Sequence, residues 1–156
     1  MTMVKKFDAS KLSLENIIIK SASFENEDNI LEFENGTTFK ITASLQPGIN
    51  IEQKKVLLVF RCSAEASKDN VSLKARCNFE IAYIFHVSNL EELVIENDVA
   101  EVDDDLASSV ANIAYSTSRG IIFTRCQGTL FSKFIIPVVS TKDLITLIES
   151  KSEQIN

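Results

Sequence analysis

The sequence contains few of the residues that catalysis or covalent cross-linking needs. Its 156 residues include one histidine, three cysteines and no tryptophan. Three scattered cysteines are too few for a disulfide framework, and no Cys-x-x-Cys pair indicates zinc or redox chemistry. The sequence also lacks a phosphate-binding glycine loop, a Gly-x-Ser-x-Gly elbow and a His-Glu-x-x-His metal motif. Together these absences predict a protein that is not an enzyme and that uses no cofactor or metal.

The reactive groups that are present have simpler structural interpretations. His86 lies on the polar side of a predicted strand end, where a solvated or capping role is expected. Cys126 follows the basic residue Arg125, which can lower a thiol pKa, but a buried structural thiol is the preferred interpretation. The run Asp103–Asp105 lacks the glycine and the ligand spacing of a calcium loop. It therefore indicates a helix start rather than a cation site.

Long apolar runs and positive charge are also scarce. No stretch approaches the roughly 20 apolar residues of a membrane span, and Met1–Asp8 lacks the apolar run of a secretory signal. The net charge of −6 disfavours nucleic acid and anionic membranes as partners. We expect one cytoplasmic domain over residues 1–156, with a flexible arm at 1–11 and a polar tail at 150–156.

The stretch Val71–Val87 carries the clearest pattern in the sequence. Every odd-numbered position in it is apolar, and most even-numbered positions are polar. This period of two predicts a half-buried strand, far longer than the roughly 5–6 residues of most strands. Such a strand is longer than the core of one small domain. Long helices, another subunit or a ligand must therefore cover its sheet.

Three further segments have strand character. Leu12–Phe24 is rich in isoleucine, and Lys54–Ala66 has a continuous apolar face. Ile30–Leu45 forms one strand or two, because Asn35-Gly36 in its middle is a hairpin signal. Residues 46–53 contain Pro47-Gly48 and are predicted to form a loop.

The strand before the long one is predicted to pair with it through a turn at Ser67–Asn70. Pairing Ala66 with Val71 across this turn places Phe60 opposite Cys77. The more apolar faces of the two strands then coincide, which supports the register.

A long helix is predicted to begin at Asp103–Asp105, because carboxylates in a first turn complement the helix dipole. It runs to about Gln127, with Gly128 as its C-terminal stop. Small residues form one stripe of this helix and allow close approach of a second backbone: Ala107, Ala111, Ala114 and Ser118. After an irregular apolar segment, Ser140 caps a second, shorter helix.

The order of these elements resembles that of the export chaperone SecB, over about Leu14–Lys151. Ser23-Phe24-Glu25 matches a Ser-Phe-Glu at the end of the family's first strand, and Cys77 falls on a family cysteine. The run Ala111–Arg119 stands where the family has Pro-Asn-Ile-Leu-Phe-Pro-Tyr-Ala-Arg, and Ile136-Pro137-Val138 resembles its Ala-Pro-Val. The resemblance implies an α+β fold with a four-stranded antiparallel sheet, a long helix and a short C-terminal helix.

The resemblance also implies how such a protein assembles and what it binds. The family forms homotetramers, dimers of dimers in which sheets pair edge to edge, and the small stripe suits the helix contact between dimers. Its members hold unfolded polypeptides in apolar grooves without hydrolysing nucleotide. Groove candidates lie on the crossover after the long strand, on the apolar segment and on the second helix: Leu90, Leu93, Val94, Ile95, Phe131, Phe134, Ile135, Leu144, Leu147 and Ile148. The alternative is that these residues are simply core.

One family partner is placed in doubt by the sequence. The family docks on the export ATPase SecA through acidic residues on the exposed sheet face. The matching positions here are Ser21, Glu25, Arg76 and Asn78, and only Glu25 is acidic. This loss of acid and gain of a base predict weak SecA binding or none.

The leading hypothesis is therefore an ATP-independent holdase for unfolded polypeptides, related to protein export. A second hypothesis is a dedicated SecB-like chaperone of one partner, such as an antitoxin. A third is a structural or adaptor oligomer whose grooves are filled by its own side chains.

Overall fold

The computed structural model describes residues 6–96 and 100–144, with the side chains of 95, 96, 100 and 101 left out. Its main element is a four-stranded antiparallel sheet in the order β1-β4-β3-β2. The strands are β1 (Leu12–Asn26), β2 (Thr38–Asn50), β3 (Lys55–Lys68) and β4 (Val71–Val87). The α+β class and the order of elements are as predicted.

The long strand β4 has the bounds that its alternation predicts, and it lies between β1 and β3. The hairpin that joins β3 to β4 turns at Asp69 and Asn70, whose φ values of 51° and 62° are both left-handed. Two left-handed residues match the right-handed twist of the flanking strands.

The predicted register of this hairpin is wrong by four residues. Phe60 lies opposite Ile81 rather than Cys77, and Cys77 lies opposite Ala64. The two-residue turn accounts for half of the slip, and an irregularity between Glu65 and Ser67 accounts for the rest. Because the slip is even, each side chain keeps its face of the sheet.

The predicted loop at 46–53 is wrong over most of its length. Pro47 lies opposite Leu58 and Gly48 opposite Leu57, both within β2. Since β2 is an edge strand, the N–H that Pro47 lacks can fall on the open side without breaking the ladder. Asn35-Gly36 does form a turn, with Gly36 at φ 90°, but it precedes β2 and makes no hairpin within a strand.

The long helix α2 (Asp104–Cys126) packs across β3 and β4 and covers the inner face of the sheet. The Asp103 carboxylate caps its start by accepting hydrogen bonds from the N–H groups of Asp105 (3.1 Å) and Leu106 (3.2 Å). The buried face of α2 comprises Leu106, Val110, Ala111, Ala114, Tyr115, Ser118, Ile122 and Cys126. The chain's own helix therefore provides much of the cover that the long strand requires.

The crossover from β4 to α2 forms a short helix and a two-stranded sheet. The helix is α1 (Leu90–Leu93), and β5 (Val94–Glu96) pairs with β6 (Ala100–Val102). After α2, residues 141–144 begin a further helix, and the Ser140 hydroxyl caps it by accepting a hydrogen bond from the Asp143 N–H at 3.2 Å. The predicted polar tail lies outside the described residues.

Part of the predicted N-terminal arm is folded onto the domain. Residues 9–11 form a 3-10 turn, which Asp8 caps by accepting a hydrogen bond from the Ser10 N–H at 2.9 Å. Phe7 packs against the core, and the Lys11 carbonyl accepts a hydrogen bond from the Ser88 N–H. No helix in the described ranges is both long and apolar enough to cross a membrane.

Candidate functional site

Six phenylalanines meet at the end of the sheet that holds the β3–β4 turn. Phe131, in the turn after α2, is the centre of the group: its ring centroid lies 5.3 Å from that of Phe33 and 5.9 Å from those of Phe24 and Phe39. These spacings are typical of aromatic pairs in tilted and edge-to-face arrangements. We call this group the phenylalanine cluster: Phe24, Phe33, Phe39, Phe79, Phe131 and Phe134.

Local hydrogen bonds in the turn after α2 point Phe131 into the cluster. Gly128 takes a φ of 76°, which ends the helix. The Thr129 hydroxyl then donates to the Cys126 carbonyl at 2.6 Å and accepts from the Phe131 N–H at 3.1 Å. Phe131 and Phe134 are both buried as a result.

The loop from β1 to β2, residues 27–37, covers one side of the cluster and leaves a small cleft beside it. Asn26 fixes the start of the loop with two hydrogen bonds to the backbone of Ile30, each 2.9 Å long. Directly after Ile30, Leu31 projects outward with 97% of its surface exposed. The cleft has a volume of about 230 Å³ and is lined in part by Leu31, Phe33, Leu130 and Lys133.

An ion pair ties the far end of this loop to the sheet. The Lys68 ammonium group contacts the Glu34 carboxylate and lowers the pKa of that carboxyl group. The loop is therefore held at both ends while Leu31 remains in solvent.

A second exposed apolar stretch follows the cluster directly. We call residues 134–140 the connecting segment. Two side chains of α2 hold it: Tyr115 Oη donates to the Pro137 carbonyl at 2.7 Å, and Arg119 Nε donates to the Ile136 carbonyl at 3.0 Å. Ile136 faces inward and is buried, whereas Ile135 and Val138 are 60% and 76% exposed.

Five of the seven predicted groove residues whose side chains the structure describes lie in the core. Leu90, Leu93, Phe131, Phe134 and Leu144 have 2% or less of their surface exposed, and Val94 is half-buried. The sheet, α2 and the crossover of the same chain cover them. The structure therefore assigns these five to the interior, where they can support a binding surface without forming it.

Ile135 is the predicted groove residue that the described structure leaves open to solvent. The side chain of Ile95, and Leu147 and Ile148, lie outside the described residues. Leu31 and Val138, which are exposed and lie close in sequence to Phe33 and Phe134, were not predicted, and neither was the partly exposed cluster residue Phe24. They lie in irregular segments or at a strand end, where no periodicity marks them.

The small stripe of α2 packs largely against the chain's own sheet. Ala111, Ala114 and Ser118 are fully buried, and Ala107 is half-buried. The Ser118 hydroxyl hydrogen-bonds the Tyr83 hydroxyl of β4 at 2.6 Å. Small residues do allow a close approach here, and the close neighbour within the chain is β4.

The four positions that match the family's SecA-docking face do share one surface. Ser21, Glu25, Arg76 and Asn78 lie toward one end of the outer face of β1 and β4. The Arg76 guanidinium donates to a Glu65 carboxylate oxygen at 3.0 Å, which lowers the pKa of that carboxyl group. The base gained at Arg76 is thus already paired within the sheet.

All three thiols lie in the interior, and the described residues form no metal site. Cys62, Cys77 and Cys126 are all buried. Burial raises the pKa of Cys62 to about 12, and a thiol contact with Cys126 together with burial raises that of Cys77. Over the same part of the chain, His, Cys, Asp and Glu side chains form no group of three or more that could hold a metal ion.

Comparison with known proteins supports the fold. No protein-family model matches the sequence, and no curated protein does. A similar solved structure is the Mycobacterium tuberculosis Rv1957 SecB-like chaperone in complex with a ChAD peptide from the Rv1956 HigA1 antitoxin. It is 10% identical, the match covers 84% of this chain and 93% of that chain, and the TM-score is 0.59. The chain described here therefore has the SecB-like fold, as the sequence resemblance predicts.

Proposed function

We propose that this protein is a chaperone that holds unfolded polypeptides without nucleotide, cofactor or catalysis. The observation that carries the proposal is the apolar surface around the phenylalanine cluster. Leu31 lies two residues before Phe33, and Ile135 follows Phe134. The exposed apolar side chains therefore lie beside aromatic residues of the cluster along the chain. Exposed apolar surface of this kind marks binding sites for other molecules.

The chemistry of this surface suits clients of varied sequence. Apolar contacts are non-directional, with about 25 cal/mol gained per Å² of apolar surface buried. A surface that relies on them discriminates little between one apolar segment and another. Ordering an unfolded client opposes binding, so several contacts are needed for useful affinity.

A chaperone dedicated to one partner is the second candidate. One solved structure with this fold is a SecB-like chaperone bound to a peptide from an antitoxin. The outer sheet face, where Arg76 and Asn78 stand at positions that are acidic or apolar in the family, also favours a role without SecA. We place either activity in the cytoplasm.

Self-association is part of the proposal, through the outer face of α2. Ile113 and Phe123 are exposed large apolar residues on this face, and Gly120 between them is also exposed. An added Cβ at Gly120 would contact nothing within 4 Å in the single chain. A second copy packed on this helix would bury both apolar residues.

An aggregation assay with two unrelated unfolded proteins tests the function. A general holdase suppresses the aggregation of both at near-stoichiometric ratios, and a dedicated chaperone suppresses neither but protects a single partner. Leu31→Ser should weaken suppression. Leu57→Ser is the matched control, since Leu57 is 40% exposed on the outer sheet face, away from the cluster. Equal activity of wild type and Leu31→Ser would contradict the assignment of the site.

A further inference from the structure

We propose that Cys77 and Cys126 form a reversible disulfide when the protein meets hydrogen peroxide, so that the end of α2 becomes bonded to β4. This inference goes beyond the proposed function, because it concerns thiols in the interior and does not depend on what the apolar surface binds.

The fold brings together two thiols that are distant in the sequence. Cys77 points inward from β4, and Cys126 is the last residue of α2. Both are fully buried, and the Cys77 thiol donates a hydrogen bond to the Cys126 thiol. A disulfide requires two cysteine side chains that point toward each other over a short distance. The contact between these thiols meets that requirement across a strand and a helix.

The third thiol lies near this pair but is placed less well for a bond to Cys77. On the inner face of the sheet Cys62 is diagonal to Cys77, since Cys77 lies opposite Ala64 and Cys62 lies opposite Phe79. Diagonal positions on neighbouring antiparallel strands are roughly 7–8 Å apart, which is beyond the usual span of a disulfide. Its interaction with Cys126 is electrostatic. The geometry therefore favours Cys77 and Cys126 as the bonded pair.

The two thiols have the separate roles that disulfide formation needs. The hydrogen bond from Cys77 lowers the pKa of Cys126 and so favours its thiolate, which is the nucleophile. The Cys126 thiolate attacks one peroxide oxygen, the O–O bond breaks, and a sulfenic acid and a hydroxide form; the hydroxide takes a proton and becomes water. The Cys77 sulfur then attacks the Cys126 sulfur, and the hydroxyl group leaves with the Cys77 proton as a second water. The two thiols lose two electrons in total, and the peroxide gains them.

The place of Cys126 in the chain gives the oxidant a route to the buried pair. Cys126 ends α2, and a turn follows it. Helix ends open locally far more often than the whole domain unfolds, so opening of the last turn admits a small oxidant while the sheet stays intact. Disulfides in cytosolic proteins are transient. The bond therefore forms under peroxide and is removed by thiol exchange when the reductant recovers.

The disulfide would restrain the inner part of the phenylalanine cluster. Cys77 lies opposite Phe24 of β1, and Phe131 follows Cys126 by five residues. A covalent link between β4 and the end of α2 limits the movement of the turn that places Phe131. It also restricts the unfolded chain, so the oxidised protein should unfold at a higher urea concentration than the reduced protein.

Oxidation of the full-length wild-type protein with stoichiometric hydrogen peroxide tests the pair. Unfolding in urea with excess N-ethylmaleimide should label all three cysteines of the reduced chain and one cysteine of the oxidised chain. Proteolysis without reductant, followed by mass spectrometry, should show the Cys77 and Cys126 peptides joined. Treatment with dithiothreitol before unfolding should restore labelling of all three.

Two variants provide a matched comparison. Cys62→Ala removes a buried thiol from the same face of the sheet and should leave the joined peptides in place, whereas Cys126→Ala should abolish them. Circular dichroism checks the fold of each variant, and the mapping on the wild-type protein does not depend on them. Three labelled cysteines after oxidation, a joined Cys62–Cys126 peptide, or a disulfide between two chains would overturn the inference. Suppression of aggregation tests the proposed function separately.

Discussion

At the scale of single residues, the Tyr83–Ser118 hydrogen bond is a buried polar contact between the sheet and α2. Ser118→Ala would leave the Tyr83 hydroxyl buried without its partner, at a cost of about 1–3 kcal/mol in the free energy of unfolding. Tyr83→Phe should cost less, because the Ser118 hydroxyl can turn to a carbonyl of its own helix. The double variant should be more stable than the sum of the two losses predicts. Urea unfolding measures all three, and strictly additive losses would contradict this account.

The Cys62 thiol and the Tyr83 and Tyr115 phenols contribute to the alkaline stability of the protein. Burial raises the pKa of Cys62 from 9.0 to about 12 and also raises those of Tyr83 and Tyr115. The folded state therefore favours the neutral forms, whereas the unfolded chain releases these protons at lower pH. By linkage, the stability that they contribute is complete below about pH 9 and is lost as the pH rises toward 12.

The measurement is the free energy of unfolding at a series of pH values above neutrality. The free energy of unfolding should fall steadily above pH 9. In Cys62→Ala it should fall less steeply with pH, because the packing lost with the side chain lowers the free energy of unfolding by the same amount at every pH. A stability that stays unchanged up to pH 12 would show that these groups are exposed.

At the scale of elements, the sequence predicts periodic structure well and turns poorly. The strand Val71–Val87 is predictable residue by residue because its alternation is nearly unbroken. Asp103 and Gly128 predict both ends of α2, since each has a specific role in a helix terminus. The hairpin register is missed because it depends on the turn geometry and on an irregularity near Lys74, whose φ is 53°. Neither feature changes the apolar pattern.

The site was harder to predict than the fold, for two physical reasons. Ala111 and Ser118 allow close approach of any neighbour, so their size alone cannot distinguish the chain's own sheet from a partner. Leu31 and Val138 are exposed because hydrogen bonds elsewhere fix the backbone around them. The bond that fixes the backbone before Val138 joins Tyr115 and Pro137, which are distant in sequence, and no local pattern encodes it.

The connection between α2 and the connecting segment gives a prediction at this scale. Tyr115→Phe removes the hydroxyl that donates to the Pro137 carbonyl, at a cost of about 0.5–1.5 kcal/mol in stability. Because this bond positions Val138, binding of an unfolded protein should weaken as well. Isothermal titration calorimetry measures the binding. Tyr83→Phe is the matched control, since it also removes one phenol hydroxyl but lies under α2 and should leave binding unchanged.

At the scale of the whole molecule, the exposed face of α2 predicts self-association. Phe123→Ser should shift the protein toward smaller species, because it removes an aromatic side chain that a second copy would cover. Light scattering coupled to size exclusion measures the mass. Leu57→Ser, on the outer sheet face, is the control for a general loss of exposed apolar surface. A wild-type protein that is monomeric at micromolar concentration would contradict this part of the proposal.

The central claim is that unfolded polypeptide binds at the apolar surface beside the phenylalanine cluster. Site-specific photo-crosslinking tests it most directly, with a crosslinking amino acid placed in turn at Leu31, Val138 and Leu57. A reduced and alkylated model protein, which cannot refold, serves as the client. We predict strong crosslinks to the client from positions 31 and 138 and little from position 57. Equal crosslinking from all three positions, or crosslinking from position 57 alone, would contradict the account.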